Sequence, residues 1–125
     1  MILYHFTCAD HGAPGIDRTG FVRPPVRPHP AGLPPIVWLT DDPEIDPAAL
    51  GIDPARAVAL SCDRTAVRYT VDGPSIPWIG SSFRARAADW WVAAIEDATC
   101  GADPARWFVC RHPLRVLDRV EAVRP

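Results

Sequence analysis

Two side chains near the start of the chain are of types that can hold a small ligand on a β-sheet. His5 lies in the apolar run Ile2–Thr7, and Trp38 lies in a second apolar run, Ile36–Thr40. An imidazole can donate a hydrogen bond to a hydroxyl group, and a flat indole can stack on a planar ring. If the two runs are neighbouring strands, the pair predicts a site for a ligand that carries both groups.

The elements that must position these side chains follow from the apolar pattern. Residues 2–7 read as a strand, with Tyr4 and His5 pointing to opposite sides. Further strands are predicted at 36–40, 57–61, 66–71, 107–110 and 115–123. The alternation in the last of these is imperfect, which predicts a bulge or a bend.

The clearest helical pattern runs from about residue 82 to residue 99. Apolar residues recur in it at helical spacing, a serine can cap its start, and Gly101 lies just beyond its end. The same stripe favours a core position for the adjacent Trp90 and Trp91. A single helical turn is predicted at 47–50 and a short helix is possible around Ile16.

The segment from Phe21 to Pro35 contains six prolines and three basic side chains. This composition predicts an extended, irregular connection rather than a regular element. Two interpretations stay open: a connection that follows the surface, or a lid over a site.

The element order predicts a mixed α+β fold, and 125 residues suffice for one domain, 1–125, with a single core. The net charge of −2 argues against a protein held on nucleic acid by bulk charge. All thirteen basic residues are arginine, which together with fifteen prolines is typical of a high-GC genome. No apolar run reaches membrane-spanning length and no signal-peptide pattern opens the chain, so we expect a cytoplasmic protein with no membrane partner.

The four cysteines are scattered through the chain, which predicts reduced thiols: Cys8, Cys62, Cys100 and Cys110. The pairs Cys8/His11 and Cys110/His112 have spacings seen in metal sites. Structural zinc sites normally use two closely spaced pairs, so we expect small buried cysteines and no metal.

The order of these short motifs resembles the ADP-ribosyltransferase fold, in its histidine class. The motifs are Tyr4-His5-Phe6-Thr7, Phe21-Val22-Arg23-Pro24, Val37-Trp38-Leu39-Thr40 and the C-terminal segment 107–116. This class includes the PARP-like enzymes, the rifamycin ADP-ribosyltransferases and small bacterial toxin-like proteins. The resemblance implies a split β-sheet domain with one main helix and a long proline-rich loop.

The resemblance also implies NAD as the substrate and assigns roles to individual residues. Cleavage of the nicotinamide–ribose bond builds positive charge on the ribose, so the protein must grip and orient both groups. His5 would orient the ribose, the backbone of Phe6 would meet the nicotinamide amide, and Trp38 would stack on its ring. Thr7 and Thr40 would bind ligand or steady the two strands. Arg23 would contact the pyrophosphate.

One residue of the family pattern has no clear counterpart, namely the late-strand carboxylate or glutamine that supports the developing charge. The position comparable to the PARP-like pattern, Arg106-Trp107, has no carboxylate. The rifamycin-modifying enzymes use an aspartate after the middle strand, and its nearest counterpart is Asp72. An ordinary turn aspartate is the alternative for Asp72, because Gly73 and Pro74 follow it.

Three functions therefore stay open. The first is transfer of ADP-ribose from NAD to an unknown acceptor (a protein, nucleic acid or small molecule) or hydrolysis of NAD. A bacterial or phage toxin-like protein of this kind would also pair with an antitoxin or another protein. The second is a catalytically inactive relative that binds a nucleotide or a protein partner. The third is an NAD-dependent RNA 2′-phosphotransferase, for which only Arg23 and Arg68 are candidate phosphate ligands.

Overall fold

The computed structural model describes residues 1–27, 29–44, 46–50 and 63–121. These residues form an α+β fold built on one antiparallel sheet, which confirms the predicted class. The strands are β1 (Ile2–Thr7), β2 (Phe21–Val22), β3 (Val37–Thr40), β4 (Val67–Asp72), β5 (Ile76–Pro77), β6 (Trp107–Cys110) and β7 (Leu114–Glu121). Their spatial order is β2-β7-β4-β1-β3-β6-β5, so β1 lies in the middle between β4 and β3.

The described residues also form short α-helices: α1 (Ala13–Thr19), α2 (Ser82–Arg86) and α3 (Asp89–Ile95). The prediction of one main helix over 82–99 is wrong, because the backbone is extended at Ala87 (ψ 147°) and Ala88 (ψ 132°). The amide of Ala88 donates to the carbonyl of Ala31 at 2.9 Å, so the proline-rich loop takes the bond that a continuous helix would use. None of the helices in this part of the chain is long and apolar enough to cross a membrane.

Most of the other local predictions agree with the structure. The strands predicted at 36–40, 66–71 and 107–110 are present within one residue, and the turn predicted at 47–50 is a 3-10 helix, Pro47–Leu50. Two further 3-10 helices, Ala98–Cys100 and Pro104–Arg106, were not predicted. The bulge expected in the last strand appears as a register shift between β4 and β7 at Thr70/Val71. The strand predicted at 57–61 and Cys62 lie outside the described residues. The two-residue strands β2 and β5 were not predicted.

One side of the sheet, called the α1 face below, forms a hydrophobic core against Ala13 and Ile16 of α1. Its buried side chains come from every central strand: Leu3, Val37, Leu39, Val67, Tyr69, Val71 and Phe108. The hydroxyl of Tyr69 donates to Asp17 at 2.8 Å, which ties α1 to the middle of the sheet. These buried side chains alternate along their strands, so burying one face is enough to set the register.

The other side, called the tryptophan face below, packs against α2 and α3 over strands β3 and β6. Its core consists of Leu33, Ile36, Trp78, Ala87, Trp107 and Val109 with the partly buried Trp38, Phe83, Trp91, Val92 and Ile95. Trp78 is fully buried, and its indole Nε1 donates to Glu96 at 2.6 Å. The same carboxylate accepts two bonds from Arg84, so one acidic group joins α2, the end of α3 and the turn after β5.

Strands β1, β4 and β7 have no described helix packed on this second side. Their side chains there are half-buried or exposed: Tyr4, Phe6, Arg68, Thr70 and Val120, the last being 41% exposed. This part of the tryptophan face is called the open part below. It borders Trp38 of the neighbouring strand β3.

Candidate functional site

His5 is fixed by a hydrogen bond to the neighbouring strand. Its Nδ1 lies 2.8 Å from the backbone carbonyl oxygen of Trp38. A carbonyl can only accept, so Nδ1 carries the proton and the neutral ring presents Nε2 as an acceptor. Nε2 makes no hydrogen bond to a described residue.

The electrostatic environment of His5 favours this neutral form. Burial lowers the pKa of the imidazole below its usual value of 6.5, and the bond to the Trp38 carbonyl raises it by less. A half-buried imidazole loses part of the solvation of its charged form, which explains the direction of the shift. His5 is therefore suited to accept a hydrogen bond at neutral pH rather than to act as a cation.

β1 and β3 pair over a much shorter length than the other central strands. They share one paired position, Tyr4 with Thr40, whereas β1 pairs with β4 over all positions from Ile2 to Thr7. Beyond Tyr4, the side-chain bond from His5 to the Trp38 carbonyl links the two strands. The sheet is thus split locally between β1 and β3, next to His5.

Trp38 belongs to a cluster of indole rings on the tryptophan face. Its ring centroid lies 4.7 Å from that of Trp78, 5.9 Å from that of Trp91 and 6.1 Å from that of Trp107. His29 lies in the proline-rich loop, and its ring centroid is 4.6 Å from that of Trp91 in an edge-on arrangement. Such tilted and edge-on contacts are favourable for aromatic packing, so this cluster is a second core.

The rings of His5 and Trp38 point to opposite sides of the sheet. Tyr4 pairs with Thr40, so these two side chains share a face, and Trp38 shares it because it is two residues from Thr40. His5 follows Tyr4 directly and therefore lies on the α1 face, opposite Tyr69. The expectation that the imidazole and the indole line one open pocket together is wrong.

The other residues of the predicted site divide between the two faces as well. Phe6 is half-buried on the open part of the tryptophan face, whereas Thr7 lies on the α1 face beside Gly12. Thr40 is fully buried, and its hydroxyl accepts the amide of Asp42 at 3.2 Å, so it caps the end of β3. The hydroxyl of Thr40 therefore has a structural role and is not exposed to a ligand.

Asp72 and Arg23 lie away from His5. Asp72 is exposed at the end of β4, where it forms an ion pair with the amino group of Met1 at 3.0 Å. Arg23 is exposed just after β2, and its guanidinium lies 5.9 Å from the centre of the Phe21 ring. β2 is an outer strand, separated from β1 by β7 and β4. Neither residue is placed beside the imidazole.

Sequence reasoning named Arg68 as a candidate phosphate ligand but favoured a side chain that faces water; Arg68 lies on the open part of the tryptophan face opposite Phe6. Its guanidinium lies 5.1 Å from the centre of the Tyr4 ring. The available signal was its position in the alternation of β4, which put Arg68 and Thr70 on the face opposite the apolar stripe. That pattern identifies the face but cannot tell water from a ligand.

Two further features bear on other kinds of site. Among the described residues, no group of three or more histidine, cysteine, aspartate or glutamate side chains is placed to hold a metal ion. The Sγ of Cys8 lies 3.7 Å from Nδ1 of His11. A groove of about 290 Å³ lies over β6, lined in part by Phe83, Cys110 and His112, and it includes none of the predicted site residues.

Comparisons with protein-family models, with curated proteins and with solved structures found no match to this chain.

Proposed function

We propose that this protein binds an NAD-type nucleotide at the split between β1 and β3, with His5 as the side chain that contacts the ribose. The observation that carries the proposal is the state of His5, whose Nδ1 is held by the Trp38 carbonyl and whose Nε2 has no hydrogen bond to a described residue. The motif resemblance supplies the class of ligand.

The chemistry at this point suits a sugar hydroxyl. A neutral imidazole with its Nδ1–H already used can accept a hydroxyl proton at Nε2, and the strand bond holds the ring in place for that contact. The backbone of β1 and β3 beyond the Tyr4–Thr40 pair offers further donors and acceptors.

Binding without transfer, the second of the three functions, is better supported than transfer. Trp38 packs among three other indoles, so its ring is committed to the core rather than to a nicotinamide. Asp72 is paired with the chain's amino group at the end of β4, and no carboxylate of the described residues hydrogen-bonds His5. Transfer of ADP-ribose requires stabilisation of positive charge on the ribose, for which a nearby carboxylate is the usual source.

The test follows the imidazole resonances while NAD, ADP-ribose and nicotinamide are added separately. The chain has four histidines, so the ring signals of His5 and His112 can be assigned from single substitutions. We expect the His5 signal to shift with NAD and with ADP-ribose, and the signal of the exposed His112 to stay in place. Isothermal titration of the wild-type protein and of His5→Gln measures the affinities.

The possible results separate the functions. A His5 shift with no release of nicotinamide supports a nucleotide-binding protein. Release of nicotinamide that depends on His5 would instead support the first function, transfer of ADP-ribose or hydrolysis of NAD. No shift of His5 and no heat of binding with either nucleotide would overturn the proposal, since the wild-type protein is folded in this measurement.

A further inference from the structure

The charge of Arg68 has no counter-ion within the described protein. Three arginines of the described residues are half-buried: Arg68, Arg84 and Arg106. Arg84 pairs with Glu96, and Arg106 pairs with Asp41 and Asp42. Arg68 forms no ion pair with a described carboxylate, and its buried Nε has no hydrogen-bond acceptor.

The guanidinium of Arg68 is nevertheless held in a defined place. It stacks over Tyr4 with its central carbon 5.1 Å from the ring centre, and Nη1 donates to the carbonyl of Pro43 at 3.0 Å. Nη2 makes no hydrogen bond to a described residue. A half-buried cation that is fixed but not neutralised retains most of its attraction for an anion, because solvent screens it less than an exposed one.

The side chains next to Arg68 on the open part of the tryptophan face are mostly uncharged. Phe6 lies opposite Arg68 on β1, Val120 lies opposite it on β7, and Thr70 follows it by two residues on the same face. The nearest acidic side chain by register is Asp118, opposite Thr70, which is exposed and does not pair with Arg68. The hydroxyl of Thr70 and the apolar side chains of Phe6 and Val120 therefore flank Arg68.

We infer that Arg68 binds a phosphate group of a ligand that lies across the open part of the tryptophan face. Arginine presents parallel N–H groups that match two oxygens of a phosphate, and Thr70 can add a hydroxyl donor. This inference goes beyond the proposed function, because Arg68 lies on the tryptophan face and His5 lies on the α1 face.

The test compares anions on the folded protein at low ionic strength. Isothermal titration measures binding of inorganic pyrophosphate, ADP and ADP-ribose, with malonate as the carboxylate of similar charge. The variants are Arg68→Gln, Arg68→Lys and the exposed control Arg23→Gln. Circular dichroism and the thermal midpoint of each variant establish that it is folded before titration.

We expect pyrophosphate to bind the wild-type protein and Arg23→Gln equally, and Arg68→Gln to lose about tenfold or more in affinity, the usual effect of removing a charge-assisted hydrogen bond. Arg68→Lys should retain part of the affinity, because the charge remains without the planar fork. Affinities that increase as salt is lowered would support the electrostatic origin.

Each other result decides against one proposal. No binding of pyrophosphate or ADP, equal binding by Arg68→Gln, or tighter binding of malonate than of pyrophosphate would overturn the phosphate site. If pyrophosphate binds through Arg68 and NAD does not bind, the phosphate site stands and the proposed function fails. If NAD binds and neither pyrophosphate nor ADP binds through Arg68, the proposed function stands and the phosphate site fails.

Discussion

The imidazole of His5 and the indole of Trp38 lie on opposite faces of the sheet, although Nδ1 of His5 donates a hydrogen bond to the backbone carbonyl of Trp38 at 2.8 Å. The bond makes the imidazole part of the connection between β1 and β3. Removing the imidazole should therefore affect the stability of the protein as well as the binding of any ligand.

Replacing His5 by alanine should lower the free energy of unfolding by about 1–3 kcal/mol, because a partly buried carbonyl loses its donor. Urea denaturation of wild type and variant measures the difference. His112→Ala is the control, since that side chain is exposed, and it should change stability by less than about 0.5 kcal/mol. Equal stability of His5→Ala and wild type would show that the strand connection does not depend on the imidazole.

Replacing Trp38 by alanine should lower the free energy of unfolding by about 3–5 kcal/mol, the usual cost of emptying a large aromatic site in a core. Trp90 provides the matched control because it is 65% exposed, in contrast to its neighbour Trp91. Trp90→Phe should leave stability nearly unchanged and should remove most of the fluorescence that acrylamide quenches readily. A readily quenched Trp38 would contradict its place in the cluster.

Glu96 accepts hydrogen bonds from both Arg84 and Trp78. Burial raises the pKa of this carboxyl, but these bonds outweigh burial and leave the pKa below its usual value of 4.5. Its contribution to stability is therefore present above pH 4.5 and is lost as the pH falls through the lower folded value. Glu96→Gln should cost about 1–3 kcal/mol at pH 7 and weaken the acid dependence, whereas the exposed Asp89→Asn should do neither.

His29 makes the stability of the protein depend on pH in a second range, closer to neutral pH. Its Nδ1 accepts the amide of Ala31 at 3.0 Å, so this nitrogen is unprotonated, and burial lowers the pKa below 6.5. The unfolded chain then binds a proton more readily, so stability is complete above pH 6.5 and falls as the pH drops below it. His5 contributes in the same direction. The free energy of unfolding should decrease between pH 7 and pH 5.5, and His29→Asn should flatten this slope whereas His112→Asn should not.

Two glycines near α1 should respond oppositely to alanine. A Cβ on Gly12 would overlap the hydroxyl of Thr7, so Gly12→Ala should destabilise the protein. Gly15 lies within α1 and has no heavy atom near its would-be Cβ, so Gly15→Ala should raise the free energy of unfolding by about 0.4–1 kcal/mol. Thermal denaturation of the two variants measures the contrast, and a loss of stability in Gly15→Ala would contradict the helix.

The parts of the fold that the sequence could predict are those set by local pattern. Alternation placed β1 and β4, because burying one face fixes the period, and short apolar runs placed β3 and β6. The break at Ala87–Ala88 could not be predicted, since alanine favours helix and the competing bond comes from the distant Ala31. That break also exposes Trp90, which the continuous stripe placed in the core.

The candidate site was harder to predict than the strands, because its geometry depends on which strands are neighbours and on their register. The alternation in residues 2–7 correctly separated Tyr4 from His5, but nothing local relates that alternation to the face of Trp38. Only the Tyr4–Thr40 pairing decides the matter. Arg68 was similarly visible as a residue of the second face, whereas its missing counter-ion depends on side chains from other strands.

The bond from the Ala88 amide to the Ala31 carbonyl makes one proton a reporter for a distant segment. Hydrogen–deuterium exchange at Ala88 requires that this bond open, and opening it releases the proline-rich loop from the start of α3. An exchange rate measured at Ala88 therefore gives the free energy of opening this contact with the loop, which is itself poor in amide protons because of its prolines.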